Sequence, residues 1–290
     1  MLELSPLTQL VCPSDARYNY SMNQIHHPPP VSCTSPLAVL ASCLLLSLTA
    51  CAPQPLTVTR EPVTLRLVAA DSCESLADEL AQTYEDEHPW VTVELETWNS
   101  LTAEQTLQAG EADLALLSWI ANGENDLWAQ PFAHDNIAVI VHPEMPFTEI
   151  GLALLQEIFQ GRVQEWGDLV LTVVSREEGS GTRAAFDSVV LGNYQVTRTG
   201  VVMSSGRAVV EYVARTPGAI GYVPASQVSD SDGVRILPLE GVSPAADSGY
   251  PLPLSLYLAT VSEPAGAGRE FAQWVLGPAG QRNVTRLLGR

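Results

Sequence analysis

From about residue 63 onward, the chain alternates short apolar runs with longer amphipathic stretches. An apolar run bounded by polar residues predicts a buried strand, and apolar residues spaced three and four apart predict a helix. Strands and helices that alternate along a chain pack as helices over a largely parallel sheet. The sequence therefore predicts an α/β protein, with strands at 63–70, 91–97, 112–117, 137–141, 171–174, 219–223, 235–239 and 254–260, and helices at 74–87, 102–109, 149–159, 182–191, 207–214, 266–276 and 278–288.

Polar residues near the element ends give further expectations. Thr102 and Gln105 have the spacing of a capping box for the second helix, and Thr148 is an N-cap candidate for the third. The stretch Ser226–Gly233 is rich in Ser and Asp, which is typical of a solvated connector.

Acidic residues outnumber basic ones. There are 33 Asp and Glu against 14 basic residues, all of them Arg, so the formal net charge is −19. Binding to DNA or RNA needs a stripe of positive charge along the phosphates, so this composition excludes a nucleic-acid partner. With 46% hydrophobic and 16% charged residues, the chain has the composition of a folded protein, and its 290 residues suffice for one large domain or two lobes.

The first 51 residues have the pattern of an export signal. An apolar run of about 15 residues leads to Leu48-Thr-Ala-Cys51, which resembles a bacterial lipobox with Cys51 as the lipidated residue. We therefore predict a signal peptide over 1–50, a lipid-anchored tether over 51–60 and a location on the extracytoplasmic face of the cell membrane. One departure from the usual export signal is that no Lys or Arg lies between Met22 and the apolar run. The alternatives are a start at Met22 and a buried core helix that contains Cys51.

The remaining cysteines and histidines predict neither a metal site nor a cofactor. The five cysteines show no disulfide framework and no zinc spacing, and after processing only Cys73 would be left. His88, His134 and His142 are scattered along the chain.

The stretch Val173–Phe186 combines a strand, a glycine turn with hydroxyls and a helix. This order places the N–H groups of Ser180, Gly181 and Thr182 at a helix N-terminus, where donors lack partners and the helix dipole favours an anion. Arg176, at the end of the strand, adds a planar fork of donors suited to an oxyanion. The residues thus predict an anion site; the alternative is that Ser180 or Thr182 only caps the helix.

The same stretch matches neither a Walker loop nor a nucleophile elbow. No His is placed to serve as a base for Ser180, and no second acid/base constellation is visible, so we predict no catalytic residue and no enzyme activity.

Four motifs in order resemble the phosphate-binding proteins of bacterial phosphate ABC importers. Ser175-Arg-Glu-Glu-Gly-Ser-Gly-Thr182, followed by Phe186, is similar to the oxyanion loop of that family. Ile158–Asp168, Pro217–Tyr222 and Tyr250–Leu252 are similar to three further family segments. The resemblance extends over residues 64 to 290.

The resemblance implies a two-lobed type II periplasmic binding protein fold with two interlobe crossings. Lobe one would comprise 61–140 and 244–290, and lobe two 141–243. It further implies a monomer that captures inorganic phosphate in the interlobe cleft and delivers it to the permease subunits of an ABC transporter. In this family the ligand lies where loops and helix starts of both lobes meet.

The family's binding residues carry over onto seven positions. Lobe one would supply Ser72, Ser100 and Ser118, each at the end of a strand or the start of a helix. Lobe two would supply Arg176, Ser180, Gly181 and Thr182. Departures from the family pattern lie in lobe one: Asp71 in place of a neutral hydroxyl residue, Asn99–Ala103 without glycines, and Trp119 where many relatives have a basic residue. These departures affect ligand identity more than fold.

Two further residues have two interpretations each. The carboxylate of Asp71 could accept a hydrogen bond from a protonated oxyanion while repelling sulfate, or it could cap the helix that begins near Glu74. Ser205 could donate at the lip of the cleft, or it could cap the helix that begins near Arg207. The functional alternatives are a tungstate- or molybdate-binding protein of the same fold and an anchored sensor that takes no part in transport.

Overall fold

The computed structural model describes residues 60–120, 127–245 and 249–289. The predicted signal peptide, the alternative start at Met22, Cys51 and the tether up to residue 59 lie outside these ranges. Within the described ranges, none of the helices combines the length and apolar character that a membrane span requires.

The described residues form eleven strands and seven α-helices. The strands are β1 Val63–Ala70, β2 Val91–Trp98, β3 Leu114–Leu117, β4 Trp128–Val141, β5 Glu165–Trp166, β6 Leu169–Val170, β7 Thr172–Arg176, β8 Val201–Met203, β9 Ala219–Pro224, β10 Arg235–Leu237 and β11 Pro253–Thr260. The helices are α1 Glu74–Glu87, α2 Ser100–Gln108, α3 Leu152–Phe159, α4 Gly181–Phe186, α5 Gly206–Arg215, α6 Gly266–Leu276 and α7 Pro278–Leu288.

Nine of the strands form one mixed sheet in the order β2-β1-β3-β11-β4-β9-β7-β8, with β10 also paired to β4. β1 runs parallel to β2 and β3, and β7 runs parallel to β8 and β9. β4 and β11 run antiparallel to their neighbours. The α/β prediction is confirmed.

Strand β4 joins two groups of strands. Its residues 128–136 pair with β11, and its residues 137–141 pair with β9. We call β2, β1, β3, β11 and residues 128–136 the first half-sheet, and β8, β7, β9, β10 and residues 137–141 the second half-sheet. This division agrees with the expected two-lobed fold, and the lobe boundaries given above remain a prediction.

Amphipathic helices cover the half-sheets. Helix α1 buries Leu76, Leu80 and Tyr84, which follow each other four residues apart and therefore lie on one face. Helix α5 buries Val209 and Val213 in the same way on the second half-sheet. Because the helices pack on the faces of the half-sheets, the loops at the strand ends are the places where a site can form.

Two predicted helix caps were wrong because a different side chain accepts from the first N–H groups of the helix. Helix α2 begins at Ser100, and Asn99 Oδ1 accepts from the N–H of Thr102 at 2.9 Å, so Thr102 is not the cap. Helix α3 begins at Leu152, whose N–H donates to Glu240 Oε1 at 2.6 Å, so Thr148 is not the cap either.

Two predicted stretches have more structure than expected. The helix predicted over 182–191 is α4 followed by a π-helical turn at Asp187–Leu191. The predicted connector Ser226–Gly233 overlaps two 3₁₀ turns, Ala225–Gln227 and Asp230–Asp232. The first of them follows β9 and donates hydrogen bonds to Asp135 and Asp71 on the side of the first half-sheet.

Candidate functional site

The turn after β7 holds the predicted anion-binding residues in buried positions. Arg176 is 0% exposed, and Ser180 and Thr182 are also buried. Gly179 has φ of +91°, a conformation that glycine adopts without strain. The side chain of Ser180 accepts from the N–H of Arg183 at 3.3 Å, so Ser180 caps α4. The cap interpretation of Ser180 is thereby confirmed, and its hydroxyl hydrogen remains available as a donor.

Arg176 is surrounded by acceptors. Its Nε and Nη2 donate to the two carboxylate oxygens of Glu177 at 3.0 and 2.9 Å. Nε also lies 3.3 Å from the carbonyl oxygen of Met203, and Nη2 lies 3.4 Å from that of Ser204. On its other side, Nη1 lies 2.8 Å from Oδ2 of Asp71. One buried guanidinium therefore faces two carboxylates.

Two buried donors in this region have no hydrogen-bond partner among the described residues. One is Oγ1 of Thr182, and the other is Nη1 of Arg176, whose contact with Asp71 is an ion pair. An unpaired buried donor costs free energy, so such groups commonly mark a place where something else binds.

The neighbouring carboxylates keep the side chain of Arg176 ionised. Burial by itself would lower the pKa of its guanidinium, but the neighbouring carboxylates of Asp71 and Glu177 raise the pKa above its ordinary value. The side chain is therefore a permanent positive charge in a region removed from water.

Asp71 lies beside Arg176 and does not cap a helix. It lies in a 3₁₀ turn at Asp71–Cys73, and no side-chain cap bond is made to α1 within the described chain. Its Oδ2 accepts from the N–H of Gly206 at 3.3 Å, and its main-chain oxygen accepts from Nε2 of Gln227 at 2.7 Å. The cap interpretation of Asp71 was wrong because the carboxylate turns toward the second half-sheet.

Two serines of the first half-sheet meet the glycine of the turn. Ser100 Oγ and Ser118 Oγ lie 3.0 Å apart and are buried. A Cβ placed on Gly181 would lie 2.3 Å from Ser118 Oγ and 2.4 Å from Ser100 Oγ. A hydrogen bond from the N–H of Leu101 to the carbonyl of Gly179, at 3.0 Å, joins the same two surfaces. The structure thus brings Ser100, Ser118 and Gly181 together.

The other predicted residues lie at the edges of this region. Ser72 is buried beside Asp71, with its Oγ 3.9 Å from Sγ of Cys73. Burial raises the pKa of the Cys73 thiol to about 12, so the thiol is neutral at physiological pH. Ser205 accepts from the N–H of Ala208 at 3.1 Å, which confirms it as the cap of α5; a role as a donor at the cleft lip remains a prediction.

Sequence reasoning missed four residues that hold the site together. Glu177 follows Arg176 directly, so its proximity was visible in the motif. Tyr222, whose hydroxyl lies 2.9 Å from Ser175 Oγ and 3.4 Å from the N–H of Arg176, was part of a recognised segment. Gly206 and Gln227 contact Asp71 from 135 and 156 residues away, and no local signal announces them.

A cavity of about 530 Å³ opens beside the turn. It is lined from the first half-sheet side by Leu101 and Trp119 and from the second by Gly179, Ser180 and Arg183. Trp119 therefore lines the space beside the candidate site. No group of three or more His, Cys, Asp or Glu in the described ranges is arranged to hold a metal ion.

The two half-sheets, joined by β4 and facing each other across buried polar loops, define a two-lobed periplasmic binding protein. The chain belongs to the PBP superfamily, since residues 56–279 match the model of the PBP superfamily domain.

The relatives agree with the family that the motifs resemble. The phosphate-binding protein PstS of Bacillus subtilis is 25% identical over 234 residues, which cover 76% of this chain and 77% of the relative. A putative phosphate ABC transporter substrate-binding protein with bound phosphate, from Clostridium perfringens, aligns with a TM-score of 0.73 at 23% identity, covering 78% of this chain and 98% of the other. An ABC-type phosphate transport receptor from Vibrio cholerae aligns with a TM-score of 0.65 at 23% identity, covering 77% and 98%.

Proposed function

We propose that this protein captures inorganic phosphate between its lobes, outside the cytoplasmic membrane, and delivers it to the permease of an ABC transporter without a catalytic step. The observation that carries the proposal is the buried guanidinium of Arg176 together with the unpartnered hydroxyl of Thr182, on the turn that meets Ser100 and Ser118. Phosphate-binding proteins among the relatives support the choice of ligand.

The donors match the chemistry of a tetrahedral oxyanion. A charged guanidinium in a dehydrated site forms short, strong hydrogen bonds to an oxyanion, and hydroxyls of Ser72, Ser100, Ser118 and Ser180 can donate to its remaining oxygens. Gly181 lets the main chain approach closely because it carries no side chain. Closure of the lobes would then remove the bound anion from water.

Asp71 gives the site a reason to prefer phosphate over sulfate. Monohydrogen phosphate can donate its O–H to the carboxylate of Asp71 while its other oxygens accept from Arg176. Sulfate carries no proton at neutral pH and would be repelled by that carboxylate. The distance of 2.8 Å between Asp71 Oδ2 and Arg176 Nη1 supports this explanation, because the acceptor and the donor lie side by side.

The surroundings of Ser180 support a function without a catalytic step. Its oxygen accepts from the main chain of Arg183, which is the role of a helix cap. The three described histidines bond elsewhere, to Tyr84, Glu144 and Ser255. For the location, the lipobox-like Leu48–Cys51 supports an anchor at Cys51 on the extracytoplasmic face.

The test is calorimetric titration with phosphate, sulfate and tungstate. We expect phosphate to bind to one site per chain, sulfate to bind far more weakly, and tungstate not to outcompete phosphate. Preferential binding of tungstate would favour the tungstate- or molybdate-binding alternative. Absence of ligand-induced thermal stabilisation by any oxyanion would favour the sensor alternative.

The variant Arg176→Ala should weaken phosphate binding by about 2–5 kcal/mol, since it removes the buried charge partner of the anion. Arg66→Ala is the control, because Arg66 forms an exposed ion pair with Asp113. Arg176→Lys keeps the charge but loses the fork on Glu177, and we expect an intermediate loss. Unchanged affinity in a folded Arg176→Ala protein, checked by thermal unfolding, would contradict the proposal.

A further inference from the structure

The 3₁₀ turn Ala225–Gln227 contacts Asp71 from the opposite half-sheet. Gln227 donates through Nε2 to the main-chain oxygen of Asp71 at 2.7 Å. Asp71 follows β1 of the first half-sheet, whereas Gln227 follows β9 of the second. The bond therefore crosses between the half-sheets, next to the carboxylate that faces Arg176.

The same side chain also lies against the second group that holds Asp71. A Cβ on Gly206 would lie only 2.0 Å from Oε1 of Gln227, so the amide is packed onto that glycine. The N–H of Gly206 in turn donates to Oδ2 of Asp71. Gln227 thus touches the main chain of Asp71 and the residue that binds its carboxylate.

The turn is also bound to β4, close to the point where the two half-sheets join. Ser226 donates to Oδ2 of Asp135 through its N–H at 3.2 Å and through its hydroxyl at 2.6 Å. Asp135 lies at the end of the β4 segment that pairs with β11, one residue before Asn136 and the change of partner to β9. Gln227 therefore reaches Asp71 from an anchored turn, and its position is defined by the strand that joins the half-sheets.

We propose that Gln227 is a positioning residue for Asp71, and that by holding the carboxylate in the cleft it determines how strongly the site prefers a protonated oxyanion to an unprotonated one. This inference rests on the proposed function. Without Gln227, the buried carbonyl of Asp71 loses its donor. The carboxylate then keeps its contacts with Gly206 and Arg176, but the backbone that carries it is no longer bound to the turn after β9.

The variant Gln227→Met tests this directly. Methionine keeps the length and the apolar stem while removing both the amide donor and the acceptor. Gln281→Met is the matched control, because Gln281 is also partly buried and its Nε2 donates to the main-chain oxygens of Phe132 and Val275, both at 3.0 Å. Phosphate and sulfate affinities would be measured by competition titration at neutral pH for each protein.

We expect Gln227→Met to weaken phosphate binding about tenfold, as the loss of one hydrogen bond to a buried carbonyl implies. We also expect the ratio of phosphate to sulfate affinity to shrink, while Gln281→Met leaves both values unchanged. If Gln227→Met does not fold, Gln227→Asn replaces it: the shorter amide stays polar but no longer reaches Asp71, and the same change in the ratio is expected.

A double variant separates positioning from closure. In an Asp71→Asn background the carboxylate is gone, so Gln227→Met should no longer change the phosphate to sulfate ratio. An unchanged ratio of phosphate to sulfate affinity in the single variant would overturn the inference. If both affinities fell equally, Gln227 would favour closure of the lobes and not the choice between anions. Failure of the unmodified protein to bind phosphate would instead overturn the proposed function.

Discussion

At the residue scale, Arg176 is the only guanidinium that contacts both Asp71 and Glu177 among the described residues. Its removal would leave two carboxylates without their counter-charge in a buried region, which is why variants at this position need a folding control. In the proposed function the same crowding accounts for selectivity, since any anion that enters must tolerate the two carboxylates.

Gly181→Ala should weaken phosphate binding by about tenfold or more, because a Cβ there would overlap Ser118 Oγ at 2.3 Å and Ser100 Oγ at 2.4 Å. The two hydroxyls would have to move apart, and the half-sheets could not meet as they do. Gly268→Ala, where a Cβ would meet only the side chain of Leu114 at 3.3 Å, serves as the control. Titration of both variants checks the prediction; equal affinities would contradict it.

At the element scale, β4 is the strand on which the two half-sheets depend. Its 14 residues continue from one set of partners to the other, with a register shift in the β11 pairing near Pro131. Asp135 lies close to the change of partner and is held by Asn136 and Ser226.

Burial raises the pKa of Asp135, although hydrogen bonds from Ser226 and Asn136 act in the opposite direction. Because the pKa in the folded state lies above the ordinary value of 3.8, the folded protein holds the proton more tightly than the unfolded chain. The resulting stability is fully present below that ordinary value and is lost as the pH rises through the folded-state pKa.

Asp135→Asn should therefore flatten the decline of the free energy of unfolding as pH increases from about 4, since a single group contributes at most about 1.4 kcal/mol per pH unit. Urea unfolding of both proteins across a pH series measures the two slopes. Parallel slopes would show that Asp135 does not titrate in this window.

At the scale of the whole molecule, a net charge of −19 opposes the approach of an anion. The proposed capture of phosphate must then depend on short-range contacts around Arg176, because a net negative charge repels an anion at long range. The buried position of the candidate residues agrees with this requirement.

Added inert salt should consequently raise the association rate of phosphate, since it screens the repulsion. Stopped-flow tryptophan fluorescence can follow the reaction, with Trp119 lining the adjacent cavity as a reporter. A second inert salt controls for competition by the added anion. A steep fall in rate with salt would indicate a local positive field and contradict the argument.

The sequence alone determined the fold class and the local part of the site. Helices 74–87, 266–276 and 278–288 were predicted with their observed bounds, because amphipathic periodicity is a local property. Arg176 and Ser180–Thr182 were recognisable because they lie within seven residues of each other, at the end of β7 and at the start of the following helix. The first part of β4 was missed because Pro131 and the polar residues 134–136 disguise a strand whose stability comes from its partners.

Only the tertiary structure decided what surrounds Arg176. Asp71 had two local interpretations, and the choice between them came from Gly206 and Gln227, 135 and 156 residues away. The stretch from Ser226 was predicted to be a solvated connector because its partners Asp135 and Asp71 are also distant in the chain. Helix periodicity and turn chemistry are set by neighbours in the chain, whereas contacts across the cleft depend on how β4 brings the two half-sheets together, which no local pattern encodes.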